Sequence, residues 1–200
     1  MTHRTKLRSA AVLAVVALSV AGCGIIHKRS EGLPGVVLAS EWGGIERPGG
    51  RPQTIRHLTV HHQGEHWAPD KDVQAYLRRL QHWSRETKGW VDVPYHYIVG
   101  PDGTIYSGRP TSIAGDTNTE YDPLGHVQVM LLGNFEEQVP TPQQWNSAVL
   151  LLGHLLRVHD LPPASIGAHL HRSTQTVCPG ANLMSRFEEL RAAASSASRP

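Results

Sequence analysis

Three runs of apolar and β-branched residues predict the strands of a β-sheet. Residues 55–61 (Ile-Arg-His-Leu-Thr-Val-His) alternate in polarity, which is typical of a strand with one buried face. Residues 127–132 form an apolar run and predict a strand in the centre of a sheet. Residues 166–169 predict a further short strand. Because these runs are widely separated in the chain, the sheet has to be assembled from distant segments.

A turn sequence predicts a β-hairpin in the middle of the chain. Residues 95–99 and 104–106 flank the tripeptide Pro101-Asp102-Gly103. Proline presets φ for a turn and glycine permits a positive φ, so this tripeptide favours a tight reversal. We therefore expect residues 95–99 and 104–106 to pair as neighbouring strands.

Apolar residues at helical spacing predict three helices. Residues 70–85 place Val73, Tyr76, Leu77 and Leu80 on one face. A second helix is expected to begin after Thr141, with Pro142 at its first position, and to end near His159. Residues 181–194 predict a final helix. The order of strands and helices predicts a single α/β domain with a central mixed β-sheet flanked by helices.

The composition is that of one globular domain without a basic surface. The chain has 200 residues, and 40% of them are hydrophobic. Its formal net charge of +2 depends on three basic residues among the first 22, and the remainder carries a slight acidic excess. Such a balance offers no electrostatic case for binding nucleic acid. We expect a monomer.

The first 22 residues have the features of a secretory signal peptide. A basic start is followed by an apolar run over residues 10–21, which is too short to span a bilayer. The segment Val-Ala-Gly-Cys at residues 20–23 resembles the lipobox of bacterial lipoproteins, where the peptide is cut before a cysteine whose sulfur is acylated. We therefore expect a lipid on Cys23 and a tether over residues 23–40. A plain signal peptide and an uncleaved anchor are the alternatives.

Histidines and a cysteine near strand ends suggest a metal site. His61 and His62 close the first strand, His169 and His171 follow the last one, and Cys178 precedes Pro-Gly. Neighbouring side chains on a strand point to opposite faces, so only one residue of the first pair can face a shared cleft. Two imidazoles and a thiolate suit zinc and leave a coordination position for water.

The combination of short motifs resembles one family, the type 2 N-acetylmuramoyl-L-alanine amidases, which share their fold with the peptidoglycan recognition proteins. The resemblance extends from about residue 41 to residue 190. It is carried, in order along the chain, by Val60-His61-His62, Pro94-Tyr95-His96-Tyr97, Pro101-Asp102-Gly103-Thr104-Ile105-Tyr106, Gly133-Asn134-Phe135, His169 and Cys178-Pro179-Gly180. It implies an amidase domain over residues 41–192, which leaves residues 193–200 as a disordered tail.

The resemblance also implies the roles of individual residues. His61, His169 and Cys178 correspond to the family's ligands for one Zn²⁺ per chain, and His171 is the alternative to His169. Tyr95 matches a hydroxyl close to the metal, and Thr176 matches a lysine or threonine two positions before the cysteine. The chain departs from the family pattern where Leu-His follows His169.

The expected activity is hydrolysis of the amide between N-acetylmuramic acid and L-alanine in peptidoglycan or its fragments. The expected location is the cell envelope, lipid-anchored, on the periplasmic face of the outer membrane if the host has one. A non-catalytic peptidoglycan-binding protein of the same fold is the main alternative. Trp67, Trp83 and Trp90 are expected either to line a substrate groove or to pack in the core. Asp116 and Glu120 lie in a loop near the predicted site, but no spacing assigns a general acid.

Overall fold

A mixed six-stranded sheet forms the centre of the computed structural model, which describes residues 35–199 together with Met1 and Leu33. The strands are β1 (Val36–Val37), β2 (His57–His62), β3 (Tyr97–Val99), β4 (Ile105–Ser107), β5 (His126–Leu131) and β6 (Ile166–Ala168). Their order across the sheet is β1-β4-β3-β5-β2-β6. Only the hairpin pair β3 and β4 is antiparallel among these pairings. The predicted α/β fold class is therefore confirmed.

Helices cover both faces of the sheet. They are α1 (Val73–Glu86), α2 (Pro142–Val158), α3 (Ala181–Met184) and α4 (Phe187–Ala197). On one face, Val127, Val129 and Leu131 of β5 pack in a core with α2 and α4. On the opposite face, Met130 packs in a second core with Leu77 of α1. No helix among the described residues is both long and apolar enough to cross a membrane.

The starts of α1 and α2 follow from their capping residues. Asp72 accepts a hydrogen bond from the Ala75 backbone N–H, so α1 begins at Val73 rather than at residue 70. Thr141 accepts one from the Gln144 N–H at 3.0 Å, and Pro142 occupies the first turn as predicted. The predicted hairpin is also confirmed, with Gly103 at a φ of +85° in its turn.

The C-terminal prediction is wrong in two respects. The expected single helix is interrupted between α3 and α4, where the Ser185 hydroxyl donates to the Asn182 carbonyl and Arg186 adopts a φ of −117°. In addition, α4 continues to Ala197, so part of the expected disordered tail at residues 193–200 is helical. The reason is close packing, because a Cβ on Gly153 of α2 would lie 2.9 Å from Ala197 Cβ.

The N-terminal boundary of the domain also differs from the prediction. Residues 36–37, assigned to the tether over 23–40, form β1 and pair in parallel with β4. Leu33 packs against the core, so the folded part begins earlier than residue 41. Val37 packs against the second core, and a run of two valines is too short to be identified as a strand from the sequence. The predicted signal peptide and Cys23 lie outside the described residues.

Candidate metal centre and cleft

The parallel strands bring the predicted ligands to one edge of the sheet. β6 pairs in parallel with β2, so His169, directly after β6, lies near His61 at the end of β2. Carboxyl ends of parallel strands are the usual place for ligand sites in α/β folds. Cys178 returns to the same edge because the Leu170 N–H donates to the Cys178 carbonyl at 2.8 Å.

His61, His169 and Cys178 form a compact group of metal-binding atoms. One donor atom from each residue lies within 4.8 Å of the others, and all three residues are buried. The His61 Nδ1 and Cys178 Sγ atoms are 3.7 Å apart, and the two imidazole centroids are 4.6 Å apart. Such a group is the donor set that zinc prefers, so these residues fit the cofactor that the resemblance implies.

Burial sets the protonation of this group. Removal from water holds the pKa of His61 well below its usual value and lowers the pKa of His169 to about 4. Both imidazoles are therefore neutral near pH 7, with lone pairs available for a cation. Burial raises the pKa of the Cys178 thiol to about 12, so the thiolate needs a cation beside it. The His62 N–H, 3.3 Å from Cys178 Sγ, already donates toward that sulfur.

The two alternative histidines are engaged elsewhere. His62 Nδ1 accepts a hydrogen bond from the Phe135 N–H at 3.2 Å, on the opposite face of β2. His171 Nδ1 accepts from the Ala168 N–H, and its ring meets Phe187 edge-on at 5.4 Å. The fold therefore brings His61 and His169 together with Cys178, and leaves His62 and His171 out of the group.

Tyr95 and Thr176 both line the cleft beside this group. The Tyr95 ring lies 5.3 Å from the His61 ring. Burial and the nearby Cys178 thiol raise the Tyr95 pKa well above its usual value, so its hydroxyl keeps its proton at neutral pH. The Thr176 hydroxyl accepts a hydrogen bond from the Cys178 N–H at 3.0 Å and keeps its own hydrogen for another acceptor.

The cleft has a volume of about 610 Å³, and its lining includes Trp67, Trp83 and Trp90. Trp67 is only 6% exposed and belongs to the second core, so its main role is packing. Trp83 is 40% exposed and meets Trp90 edge-to-face at 5.8 Å, which places an accessible aromatic pair at the rim. Arg79 also lines the cleft, and its guanidinium has no hydrogen bond or ion pair within the described part of the chain.

The two acidic loop residues have structural partners. Asp116 lines the cleft and forms an ion pair at 2.5 Å with the buried Arg109. Glu120 accepts hydrogen bonds from Ser173 and Thr174, which ties its loop to the segment before Cys178. Both carboxylates therefore take part in contacts that hold the loop in place.

Three residues around the group were missed at the sequence level. The Thr119 hydroxyl lies 2.9 Å from His169 Nε2, and the Tyr121 ring lies 5.3 Å from the His169 ring. Gln128 is fully buried in β5 beside β2. A glutamine within an otherwise apolar strand was the available signal, whereas the positions of Thr119 and Tyr121 depend on a loop conformation that no local pattern reveals.

The fold and the site together define a class: an α/β domain with a candidate metal centre of two histidines and one cysteine, open to a cleft. The family model described as N-acetylmuramoyl-L-alanine amidase (Amidase_2) matches residues 51–181, more than half of the chain. The chain therefore belongs to the type 2 N-acetylmuramoyl-L-alanine amidase and peptidoglycan recognition protein family.

Individual relatives agree with this membership. Peptidoglycan recognition protein 1 of Mus musculus is 30% identical over 121 residues, covering 58% of this chain and 66% of the mouse protein. The amidase LysC of Clostridium intestinale has a similar structure, with a TM-score of 0.63, 24% identity and coverage of 80% of this chain and 97% of LysC. A structure of tracheal cytotoxin bound to the ectodomain complex of the peptidoglycan recognition proteins LCa and LCx is also similar, with a TM-score of 0.66 and 25% identity. The match covers 77% of this chain and 95% of the matched chain.

Proposed function

We propose that the protein is a zinc-dependent N-acetylmuramoyl-L-alanine amidase. The reaction is hydrolysis of the amide that joins the lactyl group of N-acetylmuramic acid to L-alanine of the stem peptide. The observation that carries the proposal is the convergence of His61, His169 and Cys178 within 4.8 Å. Tyr95, next to His61 on the same cleft, adds a proton donor to this group.

The two histidines and the cysteine would hold one zinc ion per chain. Zinc supplies a Lewis acid for the scissile carbonyl and acidifies a water to a pKa of about 7. The imidazoles of His61 and His169 enter binding in the neutral form that a cation requires. Cys178 has to release its proton, and the His62 N–H stabilises the negative charge that remains on sulfur.

Hydroxyl groups in the cleft supply the hydrogen bonds that the reacting carbonyl needs. Negative charge develops on the carbonyl oxygen as water attacks, and a donor placed in advance stabilises it. Tyr95 is the first such donor, because its raised pKa keeps the phenol protonated. Thr176 is the second, because its position is fixed by the Cys178 N–H while its hydroxyl hydrogen remains available.

The rest of the cleft suits a muropeptide. Trp83, which is 40% exposed, and the neighbouring Trp90 offer apolar contact to a sugar or peptide segment. Arg79 offers a charge-assisted hydrogen bond to a stem-peptide carboxylate. A related complex with bound tracheal cytotoxin supports peptidoglycan fragments as the ligand class. We therefore propose peptidoglycan or muropeptides as the partners of a monomeric enzyme.

We also propose that a lipid on Cys23 holds the protein in the cell envelope. The support is the sequence of residues 1–23, a basic and apolar leader that ends in a small-residue segment and cysteine. Metabolic labelling with palmitate tests this proposal. The wild-type chain should be labelled and fractionate with membranes, whereas Cys23→Ala should be unlabelled and should keep the mass of its leader; a labelled Cys23→Ala chain would contradict the proposal.

Digestion of purified cell-wall sacculi tests the activity. Zinc-loaded protein should release peptides with free L-alanine amino termini, detected by mass spectrometry, and a chelator should stop the release. Parallel digests of soluble muropeptides and anhydro-muropeptides would define the preferred substrate. Binding to sacculi with zinc present and no amide cleavage would contradict the proposal and favour non-catalytic recognition.

A further inference from the structure

A buried amide lies directly behind the candidate metal centre. Gln128 stands opposite Thr59 in the parallel register of β5 and β2, so its side chain shares a face with Thr59 and His61. It is 0% exposed. A buried amide without partners is costly, so a glutamine here needs a full set of hydrogen bonds.

The Gln128 side chain has this set of hydrogen bonds, and they fix its orientation. The Tyr121 hydroxyl donates to Gln128 Oε1 at 2.6 Å. Gln128 Nε2 donates to the Pro94 carbonyl at 2.9 Å and to the Asp116 carbonyl at 3.0 Å. With its nitrogen facing two carbonyls, which can only accept, the amide cannot reverse without losing both of these bonds.

The loop over this amide is built to fit it closely. A Cβ on Gly115 would lie 2.0 Å from Gln128 Nε2 and 2.7 Å from the Pro94 carbonyl oxygen. The backbone of the loop therefore rests directly on the amide. The Pro94 carbonyl belongs to the residue before Tyr95, so the same amide also fixes the start of the segment that carries Tyr95.

The buried amide lies on the same face of the sheet as His61, one of the candidate ligands. His61 Nδ1 is the atom near Cys178 Sγ, which leaves Nε2 on the other side of the ring. His61 Nε2 is buried and has no hydrogen-bond partner among the described residues, and Gln128 lies on the same face of the sheet as this ring. A carbonyl oxygen has two lone pairs, so Oε1 can accept from both Tyr121 and the His61 Nε2–H.

We propose that Gln128 and Tyr121 act as a positioning pair that orients His61 and His169 for metal binding, an inference that rests on the proposed function. Gln128 accepts the proton of the His61 nitrogen that does not face Cys178, which selects one tautomer. Tyr121 fixes Gln128 through its hydroxyl, and its ring meets the His169 ring in a T-shaped arrangement at 5.3 Å. Partners of this kind orient metal-binding histidines, and their loss typically costs about 10- to 100-fold in metal affinity.

Zinc affinity of the purified chain, measured by competition with a chelator, tests the pair. Tyr121→Phe removes one hydroxyl and should weaken zinc binding by about 10-fold. Gln128→Met keeps the approximate volume but loses every hydrogen bond, so its zinc affinity should fall further. The absorption spectrum of the Co²⁺-loaded variants should also differ from that of the wild type, because ligand geometry changes.

Two matched variants separate positioning from stability. Gln144 is a second buried glutamine whose Nε2 donates to two backbone carbonyls, but it lies in α2 away from the cleft. Tyr106 is a buried tyrosine of β4 that does not line the cleft. Gln144→Met and Tyr106→Phe should lower the thermal midpoint of the metal-free chain as much as the test variants do, with unchanged zinc affinity.

The outcomes distinguish this inference from the proposed function. Zinc affinities of Tyr121→Phe and Gln128→Met equal to wild type would overturn the positioning role even if the wild type cleaves sacculi. If Gln128→Met does not fold, Tyr121→Phe decides alone. A wild type that binds zinc but cleaves nothing would refute the amidase proposal. The zinc affinities of the two variants would then still decide whether Gln128 and Tyr121 have a positioning role. A wild type that binds no zinc would overturn both.

Discussion

Replacing Tyr95 with phenylalanine removes a single oxygen from the cleft and leaves the rest of the site in place. Within the described residues, the Tyr95 hydroxyl makes no hydrogen bond with the protein, so the substitution breaks no native bond. The ring keeps its contact with His61. We therefore expect zinc content and thermal midpoint to match the wild type, while the loss falls on the reaction itself.

The size of the loss follows from the role assigned to the hydroxyl. A donor placed where the oxyanion forms is typically worth about 10²- to 10³-fold in kcat, or about 2.7–4 kcal/mol. Since the Tyr95 pKa is raised well above its usual value, the wild-type hydroxyl donates throughout the neutral range. The kcat of Tyr95→Phe should therefore fall by about 10²- to 10³-fold, with little change in KM.

A steady-state assay on a soluble muropeptide, with product counted by amine release, measures both constants. Tyr106→Phe serves as the matched control, because this tyrosine lies outside the cleft. A Tyr95→Phe enzyme whose kcat equals that of the control would refute the assignment of Tyr95 as an oxyanion donor. A variant with lost zinc would instead assign Tyr95 a role in building the site.

Three further predictions concern substrate binding and stability. Arg79→Ala should raise KM for stem peptides by about 10-fold, or about 1.4 kcal/mol, with kcat unchanged, because Arg79 lines the cleft and is proposed to bind a stem-peptide carboxylate away from the reacting bond. Steady-state kinetics check this, and with amidated stem peptides the variant and the wild type should have the same KM. Thr141→Ala should lower the free energy of unfolding in urea by about 1 kcal/mol through loss of the α2 cap, whereas Thr141→Ser should retain most of it. Burial lowers the pKa of His126 to about 4, below its value in the unfolded chain. The unfolded chain therefore binds more protons, and stability should fall as the pH drops from about 6.5 toward 4. His126→Gln should flatten this part of the plot of urea midpoint against pH, and an unchanged slope would contradict the assignment.

Local patterns in the sequence predicted most of the fold. The alternation ending at His61, the Pro-Asp-Gly turn and the Thr-Pro start of α2 each encode their structure within a few residues. β1 and the end of α4 could not be predicted in this way. The strand is two residues long, and residues 195–197 are ordered by packing of α4 against Gly153 of α2.

The candidate site shows a similar division. Residue types and order pointed to His61, His169 and Cys178, but residues alone did not decide between neighbouring histidines. Strand direction and loop contacts bring His61 and His169 to Cys178, whereas His62 accepts from the Phe135 N–H and His171 from the Ala168 N–H. Gln128 and its contact with Tyr121 depend on the register of β5 against β2 and on loop closure, which are properties of the folded chain.

The zinc content of the purified protein tests the central claim most directly, since every proposed step depends on a cation held by three side chains. Elemental analysis should find one zinc per wild-type chain. Cys178→Ser, which exchanges the thiol for a hydroxyl in the same buried position, should lose the metal while keeping its fold. A wild-type chain without zinc, or a Cys178→Ser chain with undiminished zinc, would contradict the account.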